Sequence, residues 1–189
     1  RLGYNAGPAG VPVPETGEYV IRPIINLSGM GATAYIQELQ KDKDHDVPPG
    51  YFWRERFYGR HVSVNYSWRQ AEFYPINACK GFNNAAGLYR FNRWIKLDDI
   101  PEYQLPTWIT DTMSCCHINI EFIDGKIIEM HGRHGVDFPA NAKELIPVWK
   151  DTEMDQHLMY NETKDWIFKE DYDDADGTLA NPRLGFYYR

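Results

Sequence analysis

Long apolar runs are missing from this chain. None approaches the ~20 residues that a bilayer-spanning helix needs, and no secretory leader is visible, so no membrane partner is expected. Cysteine is scarce: Cys79, Cys115 and Cys116 are the three in 189 residues. An odd number with two adjacent does not build a secreted disulfide scaffold and points to free thiols in a reducing, cytoplasmic setting. Basic charge is short as well. With 20 Lys and Arg against 27 Asp and Glu the formal net charge is -7, which argues against a general nucleic-acid binder. Internal repeats and coiled-coil heptads are absent. What the chain does have is apolar and aromatic mass, 43% and 15% of its residues. That is enough for a folded core in one large domain or two small subdomains. It opens on Arg1 rather than Met, which leaves room for a segment upstream.

Residues 1–17 are rich in Gly and Pro and are expected to form a lead-in loop or linker. Glu18–Ile24 has strand character, which Pro23 brings to an end. Arg22 near that end, followed by Ser28-Gly29-Met30-Gly31, is a candidate phosphate site. Backbone amides of such a loop approach phosphate oxygens closely, and a nearby Arg pairs with them. Ala32–Gln40 is expected to be a short helix. His61 to Trp68 alternates Val62, Val64, Tyr66 and Trp68 against His61, Ser63, Asn65 and Ser67, the pattern of a half-buried strand. Gly81–Gly87 reads as a loop, and Leu88–Leu105 as a connection or lid. Pro106–Cys116 reads as a helix with a suitable start, and Asn141–Lys150 as a short helix interrupted at Pro147. The expected organisation is a loop over 1–17, a domain over 18–150 and an acidic extension over 151–189.

The most informative segment is HINIEFIDGKIIEMHGR, His117 to Arg133. It reads as two strands around the turn signal Asp124-Gly125. Ile118, Ile120 and Phe122 alternate on the first strand, Ile128 and Met130 on the second. The opposite phase carries Asn119 and Glu121, then Glu129, His131 and Arg133. A plain two-residue turn would pair Glu121 with Ile128 and Ile120 with Glu129, mixing the two sets. Because a slip of one residue reverses every facing, a three-residue turn or a bulge is expected. Glu121 then lies opposite Glu129, and Asn119 opposite His131. Opposed carboxylates repel unless something cationic sits between them. Oxygen donors so placed suit Mg²⁺, which takes one or two carboxylates plus substrate phosphates.

Three segments follow in order: Arg22 with its glycine loop, Phe52–Val64 with Glu55 before a turn at Gly59, and the Glu121/Glu129 hairpin. That order resembles the ATP-grasp superfamily, which includes biotin carboxylase, carbamoyl-phosphate synthetase and D-alanine ligase. Ile120-Glu121-Phe122 and Ile128-Glu129-Met130-His131-Gly132-Arg133 match the family's acidic motif. The resemblance makes Glu121 and Glu129 the Mg²⁺ carboxylates, with His131 where the family has Asn. Arg133 stands as the phosphate-facing Arg, and Arg22 where the family has a phosphate-binding Lys. Glu55 matches the hinge acid near adenine, and Gly59-Arg60-His61-Val62 is similar to the biotin carboxylase strand after the hinge. Short phage-encoded ATP-grasp-like proteins are a further point of similarity. The likeness covers roughly residues 18–135.

The resemblance implies an α+β fold of ATP-grasp-like antiparallel sheets with flanking helices, without the family's upstream subdomain. It implies ATP and Mg²⁺ as cofactors, ATP lying between two sheets with Ser28, Gly29, Gly31, Glu55 and His61 in the nucleotide site. Arg22 and Arg133 would stabilise charge as a carboxylate substrate becomes an acylphosphate, which an amine or thiol then displaces. The alternative is a catalytically degenerate relative serving as a structural or interaction subunit, in a virion for instance, with a protein partner or a second copy. Two other readings are weaker. Cys115, Cys116, His117, His131 and His134 suggest zinc, but the adjacent cysteines lack the two-to-four-residue spacing of zinc ligands. Asp173, Asp174 and Asp176 begin like a calcium loop, but its twelfth position is Leu184.

Overall fold

The computed structural model describes residues 2–25, 33–83, 88, 90–113, 115–135, 141–150, 165–171 and 183–189. The chain divides into two compact units, Arg1–Phe57 with Asn83–Arg90 and Tyr172–Asn181, and Tyr58–Phe82 with Phe91–Asp171 and Pro182–Arg189.

The first unit is a four-stranded antiparallel sheet. Its strands are β1 (Ala6–Pro8), β2 (Gly17–Pro23), β3 (Tyr35–Leu39) and β4 (Tyr51–Glu55), in the order β1-β4-β2-β3. Tyr19, Ile21 and Trp53 alternate onto one face and bury against Val13, Leu39 and Val47. The Trp53 indole N–H donates to the Val11 carbonyl at 2.9 Å. The helix expected over Ala32–Gln40 is a strand where the segment is described. Tyr35 and Ile36 favour extended backbone, an isolated helix of this length is marginal, and pairing with β2 buries Leu39 completely.

The second unit is an eight-stranded sheet in the order β11-β12-β10-β7-β6-β5-β8-β9. Its elements are β5 (His61–Arg69), β6 (Glu72–Asn83), β7 (Phe91–Lys96), α1 (Thr107–Thr112), β8 (His117–Ile123), β9 (Lys126–His131), β10 (Glu144–Trp149), β11 (Ile167–Glu170) and β12 (Arg183–Tyr188). Antiparallel sheets are as expected; flanking helices are not. Among the described residues α1 alone is helical, within the expected Pro106–Cys116 span and with Pro106 at its N-cap. The expected helix over Asn141–Lys150 is β10, all six residues of which are buried. A strand covered on both faces shows no period that separates it from a buried helix. Pro147 fits because β7 pairs only with Glu144 and Leu145, so Pro147 lies where β10 has no ladder on that side. β6 runs on to Asn83, into the stretch expected to be a loop, and β7 lies within the expected connection. Asp173, Asp174 and Asp176 fall outside the described residues.

The hairpin β8–β9 shows how register is decided. Asp124 and Gly125 both have positive φ, 48° and 77°, as a tight two-residue turn requires. Ile123 pairs with Lys126 and Phe122 with Ile127; then a bulge leaves Ile128 without an opposite number, and Glu121 pairs with Glu129, Ile120 with Met130 and Asn119 with His131. The expected bulge is present, and Ile127 rather than Ile128 takes the buried phase. Two forces compete here. Opposed carboxylates cost up to about 1 kcal/mol. Burying Ile120 and Phe122 fully is worth roughly 1.5–3 kcal/mol each, so the hydrocarbon side fixes the register. The turn itself is held by the Asp124 N–H, which donates to the Arg60 carbonyl at 3.0 Å. Gly59, at φ +124°, lies so close that a Cβ there would stand 2.8 Å from that of Asp124.

Candidate functional site

The strands of the larger sheet sort their residues by phase. Val62 and Val64 on β5 and Ile118, Ile120 and Phe122 on β8 face the core. Ser63, Asn65, Asn119 and Glu121 face the other way and floor a cleft of about 790 Å³, open solvent included. Asn77 and Cys79 of β6 and Trp94 and Lys96 of β7 continue the floor, and Arg133, Gly135 and Arg183 complete the lining with His131. Glu121 lines the same cleft as Lys96, Arg133 and Arg183, and Glu129 is its directly opposed partner on β9.

Each acid has a histidine beside it. Nε2 of His61 lies 2.9 Å from Oε2 of Glu121. The His61 ring meets Phe91 and Trp94 edge-on, at centroid distances of 4.8 and 5.5 Å, and those two rings also touch each other. Nε2 of His131 is 3.5 Å from Oε1 of Glu129. Among the described residues no three His, Cys, Asp or Glu side chains converge as a ready metal cage. The donor set nonetheless suits a hard cation, because Mg²⁺ needs one or two carboxylates when phosphate and water oxygens supply the rest. Imidazole suits softer metals, and the position of His131 makes it a neighbour of Glu129. Arg183 is compensated by an ion pair with Asp171 and stacks on Phe186.

His61, Glu121, Glu129, His131 and Arg133 thus come together in one unit. Arg22 and Glu55 belong to the other and do not meet. Arg22 pairs with Phe52, and Glu55 with Tyr19, three residues away along β2, which puts their side chains on opposite faces of the smaller sheet. Glu55 Oε1 accepts from the Asn5 backbone N–H at 3.3 Å. Ser28, Gly29 and Gly31 lie outside the described residues. Asn77 and Lys96 were not anticipated, and Asn65 and Asn119 were placed in the polar phase without a role. The alternation of Trp94 and Lys96 on β7 carried a signal, but only the fold brings β7 to the acid pair.

No protein-family model matches this chain, and no curated protein does. Several solved structures are similar, among them these two. N5-carboxyaminoimidazole synthase from Aspergillus clavatus, in complex with ADP and 5-aminoimidazole ribonucleotide, is 9% identical with a TM-score of 0.47, over 90% of this chain and 56% of that one. A chain from Archaeoglobus fulgidus, provisionally assigned to the ATP-grasp superfamily, is 12% identical with a TM-score of 0.43, over 95% of this chain and 59% of that one. The chain therefore spans less than two thirds of either. No helix among the described residues is long and apolar enough to cross a membrane.

Proposed function

We propose that the polar face of the larger sheet binds a magnesium–nucleoside triphosphate complex, ATP in the first instance, and uses it to activate a carboxylate for ligation to an amine or thiol. The observation that carries this reading is the opposition of Glu121 and Glu129 on the face that lines a cleft shared with Lys96 and Arg133. The hydrocarbon side dictates the register, so two acids on the free side are a choice that packing does not explain. Glu121 and Glu129 would hold a divalent cation, which would relieve their repulsion and supply positive charge for a bound triphosphate. Arg133 lines the same cleft and in this reading neutralises charge in transfer, as catalysis of this type is mostly positioning and electrostatics. The carboxylate attacks the γ-phosphorus, the bond to the bridging oxygen breaks, and the nucleoside diphosphate leaves. The amine or thiol then displaces phosphate from the acylphosphate. Arg22, Ser28, Gly29, Gly31 and Glu55 come from the sequence resemblance alone, and because Arg22 and Glu55 take opposite faces of the smaller sheet one nucleotide does not engage both.

A specific observation favours a second reading. His61 and His131 already stand against the two acids, so a protein that lost its metal keeps a satisfied site, as a structural or interaction subunit would. Thermal unfolding with ATP and Mg²⁺ separates the two. A binder at a hundredfold excess over Kd gains about 2.7 kcal/mol. Glu129→Ala and chelation of Mg²⁺ are each expected to abolish that gain. A wild type that melts cooperatively and shows no gain refutes nucleotide binding. A gain without phosphate release in the presence of candidate carboxylates leaves a binding protein and no ligase.

A further inference from the structure

We infer that Asn65 and Asn119 are positioning residues: they pin the segment 132–135 to β5 and so fix Arg133 over the cleft. The consequence for nucleotide binding rests on the function proposed above; the pinning itself does not. The two amides lie directly opposite each other in mid-strand, 8% and 3% exposed. A buried amide left unmatched is destabilising, and these are matched to one another. Asn119 Nδ2 donates to Asn65 Oδ1 at 2.9 Å and to Ser63 Oγ at 2.8 Å, with the Val64 carbonyl at 3.3 Å. Asn65 Nδ2 donates to Asn77 Oδ1 at 2.9 Å. The second lone pair of Asn65 Oδ1 reaches out of the sheet, accepting the backbone N–H of Gly135 at 2.8 Å.

Among the described residues, that bond is one of two between β5 and the segment that follows β9. Nε2 of His134 is 3.1 Å from the Tyr66 carbonyl. The His134 ring lies against His117 of β8 at 4.1 Å with the planes tilted by 51°, and His117 Nδ1 is 3.1 Å from Ser67 Oγ. Arg133 lies between these attachments and the end of β9, and its Nη1 donates to the His134 carbonyl at 3.0 Å. Gly135 is fitted to the amides: a Cβ there would sit 3.3 Å from Asn119 Nδ2. The sheet does not need this arrangement. Apolar residues at both positions would serve β5 and β8 as well or better, since buried polar networks are often replaceable by hydrocarbon at no loss of stability. What the amides add is one outward acceptor at a fixed place.

Asn65→Leu removes that acceptor and keeps the branched shape in a bulkier side chain, whereas Asn65→Asp keeps the acceptor. Backbone amide exchange measured by NMR is expected to show Gly135 exchanging about tenfold faster or more in Asn65→Leu. The core amides of β5 and β8 should stay slow, and Asn65→Asp should restore slow exchange. Unchanged Gly135 exchange in a folded Asn65→Leu protein overturns the inference, whether or not nucleotide binds. Calorimetric titration with ATP and Mg²⁺ gives the second readout. Asn65→Leu and Arg133→Ala are each expected to weaken binding about tenfold, and the double variant to be no weaker than Arg133→Ala alone. Losses that multiply would overturn the route through Arg133. Should Asn65→Leu fail to fold, Gly135→Ala keeps both amides but presses a Cβ against them, which lifts the segment, and is expected to give the same coupling to Arg133→Ala. A wild type that binds no nucleotide refutes the proposed function, and the exchange measurement still decides the pinning.

Discussion

The ring of Tyr66 is 1% exposed, and its hydroxyl oxygen is buried with no hydrogen-bond partner among the described residues. A buried donor left unmatched costs about 1–3 kcal/mol, so the hydroxyl is a liability that the ring's packing outweighs. Tyr66→Phe keeps the ring and removes the liability. At neutral pH the variant is expected to be as stable as the wild type, or more stable by up to about 2 kcal/mol, read as a shift of the urea midpoint. A clear loss of stability would reveal a bond to the hydroxyl. The alkaline limb supplies a second measurement. Burial, and then the neighbouring Tyr103, push the Tyr66 hydroxyl pKa up. The folded state therefore holds this proton more tightly than the unfolded chain. That contribution is complete below the ordinary tyrosine value of about 10 and is lost as pH rises above it. Tyr66→Phe should show a shallower decline of stability above that pH.

At the scale of the element, the hairpin is governed by one supernumerary isoleucine. Ile127 faces Phe122, Ile128 has no opposite number, and Glu129 faces Glu121. Removing one residue of the Ile127-Ile128 pair leaves every other facing intact and turns the bulged hairpin into a regular one. The shortened protein is expected to fold with a loss of no more than about 2 kcal/mol and to keep its response to ATP and Mg²⁺. A folded variant without the response would show that the bulge itself aims Glu129. This register was readable in the sequence because two phases, one hydrocarbon and one polar, conflicted with a plain turn. β2, β5 and α1 were readable for similar reasons: an alternation, or a proline at a helix start. β3 and β10 were not. β10 is buried throughout and carries no period, and β3 owes its form to pairing partners on β2, the nearest pair being Ile21 and Tyr35. The acid pair of the candidate site was legible because one hairpin holds both halves. The amides of Asn65 and Asn77 and the cation of Lys96 join it through pairings between distant strands, which no local pattern records.

At the scale of the whole molecule, the larger sheet is completed by residues far apart in the chain. β12 lies between β11 and β10, with Phe186 and Tyr187 almost fully buried and Arg183 paired to Asp171. Arg189 extends the link: its Nη2 is 2.8 Å from Glu144 Oε2, and Arg93 meets the same carboxylate. Glu144 is itself buried, so it depends on those guanidinium partners. Removing Arg183–Arg189 deletes two buried aromatics worth roughly 1.5–3 kcal/mol each. It also strips one ladder from β10 and another from β11, and leaves Asp171 without its Arg. Together these losses approach the 5–15 kcal/mol by which a domain of ordinary stability is folded. The shortened chain is therefore expected to lose cooperative melting of the larger sheet, read by near-ultraviolet circular dichroism of its tryptophans. The point substitution Arg189→Ala, which removes one of two partners of Glu144, should lower stability by about 1–3 kcal/mol without abolishing cooperativity. If the chain without Arg183–Arg189 melted as sharply as the full one, the register of β10 with β12 would be wrong, and with it the placement of Arg183 in the lining of the cleft.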